Sequence, residues 1–147
     1  MDGNQGIDTE RILSLIGEAR KAIGMLVSYQ KMNDEVLLSD QEKLGNIKYQ
    51  FIVAIEACID ICNHIAAKTF SDVPESYAHC FELLKEKGGI ESQLAEGMSD
   101  FARFRNVLVH LYWKVENKRV IEILKHDLHR IEEFLTAVST SVHKQQV

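Results

Sequence analysis

The sequence has 147 residues, of which 46% are hydrophobic and 27% are charged, and its formal net charge at pH 7 is −5. This length and balance are ordinary for one soluble globular domain. Proteins whose whole surface binds nucleic acid are usually basic, so any such contact here must come from a local cluster of Arg and Lys or from a partner chain. We expect a single domain over residues 1–147, in which residues 1–7 form a loose leader.

Apolar residues recur every three or four positions along most of the chain, which is the period of an α-helix that faces a core. No stretch alternates with period two for long enough to form a strand. In chain order, the predicted helices cover residues 8 or 9 to 32, 39–69, 75–87, 91–113 and 117–141. We therefore expect an all-α fold, an antiparallel bundle of four main helices and one short helix joined by short loops.

Capping and breaking residues mark the predicted helix boundaries. Ser39, followed three residues later by Glu42, has the form of a capping box, so we expect it to start the second helix. Pro74 fits the first turn of the third helix, where its missing N–H costs little. The pair Gly88 and Gly89 is expected to end that helix.

The most apolar run, residues 51–67, is interrupted at helical spacing by Glu56, Asp60 and His64. This pattern predicts a core helix rather than a membrane span. Carboxylates and imidazoles bind metals, but the Glu-x-x-His spacing of di-iron bundles is absent, and we expect no metal. We interpret the three residues as a polar ridge that faces the fourth helix or a subunit interface, with Glu56 or Asp60 paired to an arginine.

The N-terminus and the cysteines bear on the cellular compartment. The first ten residues, MDGNQGIDTE, are polar and acidic and do not have the pattern of a signal peptide. Cys58, Cys62 and Cys80 form no even framework and include no C-x-x-C pair, and we interpret Cys58 and Cys62, four apart in an apolar helical run, as small buried hydrophobic residues. Both observations favour a reducing cytoplasm.

Residues 101–113, FARFRNVLVHLYW, carry the candidate site. One helical face is apolar and is expected to face the core: Phe101, Phe104, Leu108 and Leu111. The other face is polar: Arg103, Arg105, Asn106, His110 and Tyr112.

Asn106 and His110 are four residues apart and therefore adjacent, whereas Arg105 leaves the helix about 140° away from His110 and must reach across. A cation that never deprotonates, beside an imidazole that titrates near neutrality, suits a phosphate site with a proton carrier. Taken alone, however, an Arg and a His at this spacing recur by chance.

The string from Arg105 to Tyr112, RNVLVHLY, resembles the signature of HEPN domains, in which an Arg and a polar residue precede a spacer and a His. It is more closely similar to the HepT toxins of HEPN/MNT toxin–antitoxin pairs, whose motif is Arg, four residues, His, one residue, Tyr. Residues 54–68 and 73–90 also resemble that family, and the likeness covers residues 10–138. Arg103 departs from the family pattern, in which we expect Gly or another small residue.

The resemblance implies an all-helical homodimer whose two Arg/His motifs face each other across a cleft and cleave RNA without a metal or other cofactor. His110 would move a proton as the ribose 2′-hydroxyl attacks the phosphate, and Arg105 would stabilise the growing charge. Asn106 would orient His110 or bind phosphate, and the expected product is a 2′,3′-cyclic phosphate. Arg103 and Lys114 could add phosphate contacts, and Glu56 and Asp60 are supporting candidates.

The resemblance also implies a partner, a nucleotidyltransferase antitoxin that transfers AMP to Tyr112. An anionic group placed beside Arg105 would occupy the phosphate site. Two other interpretations stay open. The chain could be a non-catalytic module that binds a nucleotide or scaffolds its partner, or it could be the helical substrate-binding half of a split nucleotidyltransferase.

Overall fold

The computed structural model describes residues 6–71 and 73–145 of the chain. This part contains seven α-helices and, after the fifth, a short 3₁₀ turn: α1 (Thr9–Gln30), α2 (Asp34–Leu38), α3 (Gln41–Thr69), α4 (Tyr77–Glu86), α5 (Ser92–His110), the 3₁₀ turn (Tyr112–Lys114), α6 (Asn117–His126) and α7 (His129–Gln145). The described residues include no β-strand, so the all-α prediction is confirmed. Most of the predicted leader, residues 1–7, lies outside the described residues.

The start of the long helix α3 differs from the prediction. Asp40 is its N-cap, and the Asp40 carboxylate accepts hydrogen bonds from the backbone N–H groups of Glu42 (3.0 Å) and Lys43 (3.1 Å). Ser39 instead ends α2, and its hydroxyl donates to the Val36 carbonyl. The predicted capping box is therefore wrong. Ser39 is the C-cap of the five-residue helix α2, which is too short to show a helical repeat of apolar residues in the sequence.

The last predicted helix, 117–141, is two helices. α6 ends at His126, Asp127 is its C-cap, and α7 begins at His129 and continues to Gln145. At the junction the backbone N–H of Arg130 donates to the Asp127 carbonyl at 3.0 Å, which is the tighter i to i+3 spacing. The buried residues Leu128 and Ile131 keep the helical period across this break, so the apolar pattern alone does not reveal it.

The third helix is shorter than predicted at its start and ends as predicted. Ser76 caps α4 by accepting a hydrogen bond from the His79 N–H at 3.0 Å, so Pro74 lies ahead of the helix rather than in its first turn. Gly88 has a positive φ of 79° and its N–H donates to the Lys85 carbonyl, which closes the helix as a left-handed glycine cap does. Gly88 therefore turns the chain towards α5.

The helices enclose one hydrophobic core to which all seven contribute, and Phe51, Phe81 and Phe134 are its largest fully buried side chains. α1 and α3 run antiparallel. The Asn46 amide donates to the Tyr29 hydroxyl (2.8 Å) at one end, and the Asp8 N–H donates to His64 Nε2 (2.9 Å) at the other. The shared core supports the prediction of one domain over residues 1–147, which stays a prediction.

All three cysteines are buried, as predicted for Cys58 and Cys62, but two of them are paired. A disulfide joins Cys62 of α3 to Cys80 of α4, whose Cα atoms lie 6.2 Å apart. The interpretation of these two residues as unpaired is therefore wrong, because helix packing brings together positions separated by 18 residues in the sequence. Cys58 is a free thiol, and its burial raises its pKa, so it is a poor nucleophile.

Among the described helices, only α3 has the length and hydropathy of a membrane-spanning segment. Half of its most apolar stretch is buried inside the protein, and its buried residues include Phe51, Ile55 and Ile59 of the shared core. α3 is thus the central core helix, and it also holds residues of the candidate site.

Candidate functional site

The candidate site lies where α5 ends. The helix stops at His110 because Leu111 leaves helical geometry (φ −127°, ψ 40°), and the chain then enters the 3₁₀ turn. The Lys114 N–H closes this turn by donating to the Leu111 carbonyl at 2.8 Å. The predicted helix end at residue 113 is therefore wrong, and Tyr112 and Trp113 project from a turn, with 58% and 75% of their surface exposed.

The Arg105 guanidinium is held against α3. Its Nε and Nη2 donate to Glu56 Oε1 at 3.0 and 2.7 Å, and its Nη1 donates to Asn106 Oδ1 at 3.1 Å. The ring centroid of Tyr77, the first residue of α4, lies 5.2 Å from the guanidinium carbon. The predicted pairing of the ridge with an arginine is confirmed for Glu56. Three of the five N–H donors of Arg105 are used, which leaves two for a ligand.

The pairing with Glu56 holds the Arg105 guanidinium in place and leaves it accessible to a ligand from solvent. The Arg105 side chain is 13% exposed, while that of Glu56 is 45% exposed, so the pair lies at the edge of the core. A carboxylate that accepts two N–H groups holds the planar guanidinium in one orientation. The position suits a cation that meets an anion arriving from solvent.

His110 and Asn106 are one turn apart on α5, as predicted, and both are exposed. Within the described part of the chain, His110 has no hydrogen-bond or ion-pair partner. Asn106 uses its carbonyl oxygen to accept from Arg105, and its amide N–H groups are not engaged by any described residue. The imidazole is thus accessible to a substrate.

The two other cations predicted to support the site, Arg103 and Lys114, have different surroundings. Arg103 forms a surface ion pair with Asp100 at 3.0 Å, and both side chains are largely in solvent. Lys114 is exposed and lines a cavity of about 660 Å³ between α5 and α6, whose apolar wall includes Phe101 and Phe104. These cations surround the end of α5 rather than converge on Arg105.

The polar ridge of α3 divides between two neighbours. Glu56 binds Arg105, but Asp60 and His64 are directed to the start of α1. Desolvation raises the pKa of Asp60, and Arg11 of α1 opposes this shift. His64 accepts a hydrogen bond from the Asp8 N–H. The described residues contain no group of three or more His, Cys, Asp or Glu side chains placed to hold a metal ion.

Two neighbours of the motif were missed by the sequence analysis. Tyr77 stacks beside Arg105, and the ammonium of Lys48 on α3 lies 5.0 Å from the ring centroid of Tyr112. The position of Lys48 had a signal in the sequence, since it precedes Glu56 by eight residues and so shares its helical face. Tyr77 had none, because only the packing of α4 on α5 brings it to Arg105.

Comparison with solved structures identifies the fold. The chain superposes on the tri-AMPylated HEPN toxin of Shewanella oneidensis, solved in complex with MNT antitoxin, with a TM-score of 0.82 and 23% sequence identity over 88% of this chain and 97% of that chain. It also superposes on YutE of Bacillus subtilis, a cytosolic protein of unknown function, with a TM-score of 0.83 and 13% identity over 95% of this chain and 94% of that one. These likenesses are of fold, and the fold is the one that the Shewanella HEPN toxin has.

The sequence gives the family. The model of the ribonuclease HepT-like family matches residues 19–138, and the chain belongs to this family. The mRNA nuclease HepT of Shewanella oneidensis strain MR-1 is 31% identical over 83 residues, which are 56% of this chain and 62% of that protein. The resemblance to HepT proteins that the motif predicted is confirmed.

Proposed function

We propose that this protein is the toxin of a HEPN/MNT toxin–antitoxin pair and that it cleaves RNA without a metal ion. Its family and the mRNA nuclease activity named for its Shewanella relative support this assignment. One observation links the proposed activity to particular residues. The oriented guanidinium of Arg105 has two unused N–H donors and lies on the same helix as the exposed imidazole of His110, which has no partner among the described residues. Cleavage of a phosphodiester without a metal ion is helped by a group that moves protons and by a cation that stabilises the charge on the phosphorane, and the two side chains can fill these roles.

In the proposed reaction the ribose 2′-oxygen forms a bond to the adjacent phosphorus, and the bond from phosphorus to the 5′-oxygen breaks. One His110 takes the proton of the 2′-hydroxyl, and a second imidazole protonates the leaving 5′-oxygen. Arg105 donates its free N–H groups to the phosphorane oxygens, and Asn106 uses its amide to orient the phosphate. The products are a 2′,3′-cyclic phosphate and a 5′-hydroxyl.

Each further candidate has a proposed part. Glu56 is a positioning residue, because it holds Arg105 in one orientation. Asp60 supports the site from behind, because its carboxylate lies near Arg11 and so helps to hold the start of α1 against α3. Arg103 and Lys114 contact phosphates of the RNA on either side of the scissile bond, since both are exposed cations near the end of α5.

The reaction needs an acid and a base, and the motif supplies one imidazole per chain. We therefore propose a homodimer in which a two-fold axis brings two His110 residues to one cleft. The surroundings of the motif support burial in an assembly, because they expose large apolar side chains: Val109, Leu111, Tyr112 and Trp113. The proposed location is the cytoplasm, where the RNA is found.

The proposed antitoxin is an MNT-type nucleotidyltransferase that transfers AMP to Tyr112. This part of the proposal draws on the tri-AMPylated state of the Shewanella toxin that shares the fold. In this chain Tyr112 is 58% exposed on a turn, so another enzyme's active site can reach its hydroxyl. The added anion would lie close to the phosphate site and compete with RNA.

The test compares wild type with His110→Ala on a short RNA in the presence of EDTA. Wild type is expected to give products that end in a 2′,3′-cyclic phosphate, and His110→Ala is expected to lose at least about a hundredfold in rate. His126→Ala, which removes an exposed imidazole at the end of α6, is the matched control and should cleave like wild type. Equal rates for wild type and His110→Ala would overturn the assignment.

A second candidate is a non-catalytic module that binds a nucleotide or the transferase. The observation that favours it is the ion pair itself, since Glu56 already neutralises much of the charge on Arg105. This alternative predicts tight binding of an MNT-type nucleotidyltransferase, with no cleavage of any RNA by wild type. Cleavage that depends on His110 would remove it.

A further inference from the structure

The contact between Lys48 and Tyr112 has no role in the proposed cleavage. Lys48 lies in the second turn of α3 and is partly buried, and its ammonium nitrogen is 5.0 Å from the centroid of the Tyr112 ring. A cation over the face of an aromatic ring is attracted by the ring quadrupole, so this contact restrains the orientation of the phenol. It links an exposed turn to the rigid core helix.

Lys48 is also an uncompensated cation. No described carboxylate pairs with it, whereas Arg105 is neutralised by Glu56 and Arg103 by Asp100. Lys114, in the same turn as Tyr112, lines the cavity between α5 and α6 instead of contacting the ring. The ammonium that lies over the Tyr112 ring therefore has no carboxylate partner among the described residues.

We infer that Lys48 is a positioning residue for adenylyl transfer to Tyr112. In that step the phenolic oxygen bonds to the α-phosphorus of ATP, the bond to the β-phosphate oxygen breaks, pyrophosphate leaves, and the phenolic proton passes to a base of the transferase. Lys48 holds the ring so that its hydroxyl is presented to the nucleotide. The inference rests on the proposed modification of Tyr112.

The same ammonium then has an anion to bind. The new phosphodiester carries one negative charge and is attached directly to the ring over which Lys48 lies. The flexible four-carbon stem lets the ammonium move from the ring face to a phosphate oxygen without any motion of α3. Lys48 therefore both presents the acceptor and retains the attached nucleotide.

The experiment measures the rate of AMP addition by intact mass, with this protein, its purified MNT-type nucleotidyltransferase partner, ATP and Mg²⁺. Lys48→Met keeps the length of the side chain and removes its charge, and we expect addition to slow by about three- to tenfold. Lys48→Arg keeps a cation and should restore the rate to within about twofold of wild type. Thermal unfolding of each variant checks the fold.

Two further variants identify the acceptor and the specificity of the effect. Tyr112→Phe should gain no mass, and Lys21→Met, which removes an exposed lysine of α1, should behave like wild type. If wild type itself gains no mass, both the modification and the role of Lys48 are overturned. If wild type is modified at Tyr112 and Lys48→Met is modified at the same rate, or Lys48→Arg is as slow as Lys48→Met, the role of Lys48 alone is overturned.

Discussion

Arg105 keeps 13% of its side chain in solvent, and most of its binding capacity is directed to Glu56. A guanidinium held in this way has a low entropic cost when an anion arrives, because its rotamer is already selected. The same pairing reduces the positive potential that an approaching phosphate meets. Glu56 thus weakens the attraction of Arg105 for phosphate but fixes the orientation of the guanidinium.

Replacement of Glu56 by Gln tests whether the carboxylate is needed to position Arg105. The variant keeps an acceptor oxygen and loses the charge, so we expect RNA cleavage to fall about tenfold as Arg105 loses its fixed orientation. The free energy of unfolding should fall by about 1–2 kcal/mol, a value discounted because Glu56 is partly exposed. Activity assays and urea titrations measure the two effects.

Glu122→Gln is the matched control for this variant. Glu122 pairs with Arg119 at 3.2 Å on the surface of α6, and both side chains are largely exposed. Its loss should cost about 0.5 kcal/mol or less and leave cleavage unchanged. Full cleavage activity in Glu56→Gln would contradict the positioning role of Glu56.

Of the side-chain contacts at the site, one was predicted from the sequence and two were not. The pairing of Glu56 with an arginine could be foreseen, because a carboxylate inside an apolar helical run needs a counter-charge. The approach of Tyr77 to Arg105 could not be foreseen, and the sequence places Lys48 on the helical face of Glu56 without showing that it meets Tyr112, since each contact joins elements whose relative placement is set by packing. Local spacing carries no information on such pairs.

Between elements, His64 connects the end of α3 to the start of α1 through its hydrogen bond from the Asp8 N–H. Only a neutral imidazole can accept this bond. Burial, followed by the charge of Arg11, lowers the pKa of His64, so the folded state takes up a proton less readily than the unfolded chain. The junction of α1 and α3 is therefore sensitive to acid.

The sign of the pH effect follows from this lowered pKa. The contribution of His64 is fully present above the unfolded pKa of about 6.5 and is lost as the pH falls through the folded value. We expect the free energy of unfolding of wild type to fall more steeply between about pH 7 and 5 than that of His64→Gln, whose side chain can accept without titrating. Urea titrations at several pH values measure the difference.

Asp60 has the opposite effect on the pH dependence of the free energy of unfolding. Desolvation raises its pKa, so its ionisation favours unfolding as the pH rises, in a lower window near the ordinary carboxylate range. Because Asp60 is present in both proteins, its contribution cancels in the comparison of wild type with His64→Gln. Parallel pH profiles for the two proteins would show that the His64 hydrogen bond contributes nothing measurable.

Element boundaries show what periodicity can and cannot predict. Adjacent residues Ser39 and Asp40 are both good N-caps, and the sequence does not tell which one closes α2 and which one opens α3. Likewise, the end of α5 at His110 has no Gly or Pro to announce it. Where a breaker was present, at Gly88, the prediction was confirmed.

Across the whole molecule, the disulfide between Cys62 and Cys80 joins the helix pair α1 and α3 to the pair α4 and α5. The sequence did not predict it, because the two positions become neighbours only after both pairs have packed. It closes a loop over a separation of 18 residues, so its reduction removes a constraint on the unfolded chain.

Reduction should lower the free energy of unfolding by about 3 kcal/mol in the chain-entropy account of disulfides. The measurement is a pair of urea titrations with and without dithiothreitol. Cys80→Ala has no disulfide to lose, so reductant should leave its stability unchanged. A similar response of wild type and Cys80→Ala to reductant would show that the disulfide does not stabilise the protein.

α3 also acts as a fixed spacer between the two halves of the site. Glu56, which anchors the arginine, and Lys48, which anchors the tyrosine, are eight residues apart on one straight stretch of core helix, a rise of about 12 Å. An adenylate attached to the tyrosine, as proposed, would therefore meet a guanidinium at a distance set by the rise of the helix. Silencing of the enzyme would then be obstruction across a rigid gap, with no rearrangement of the core required.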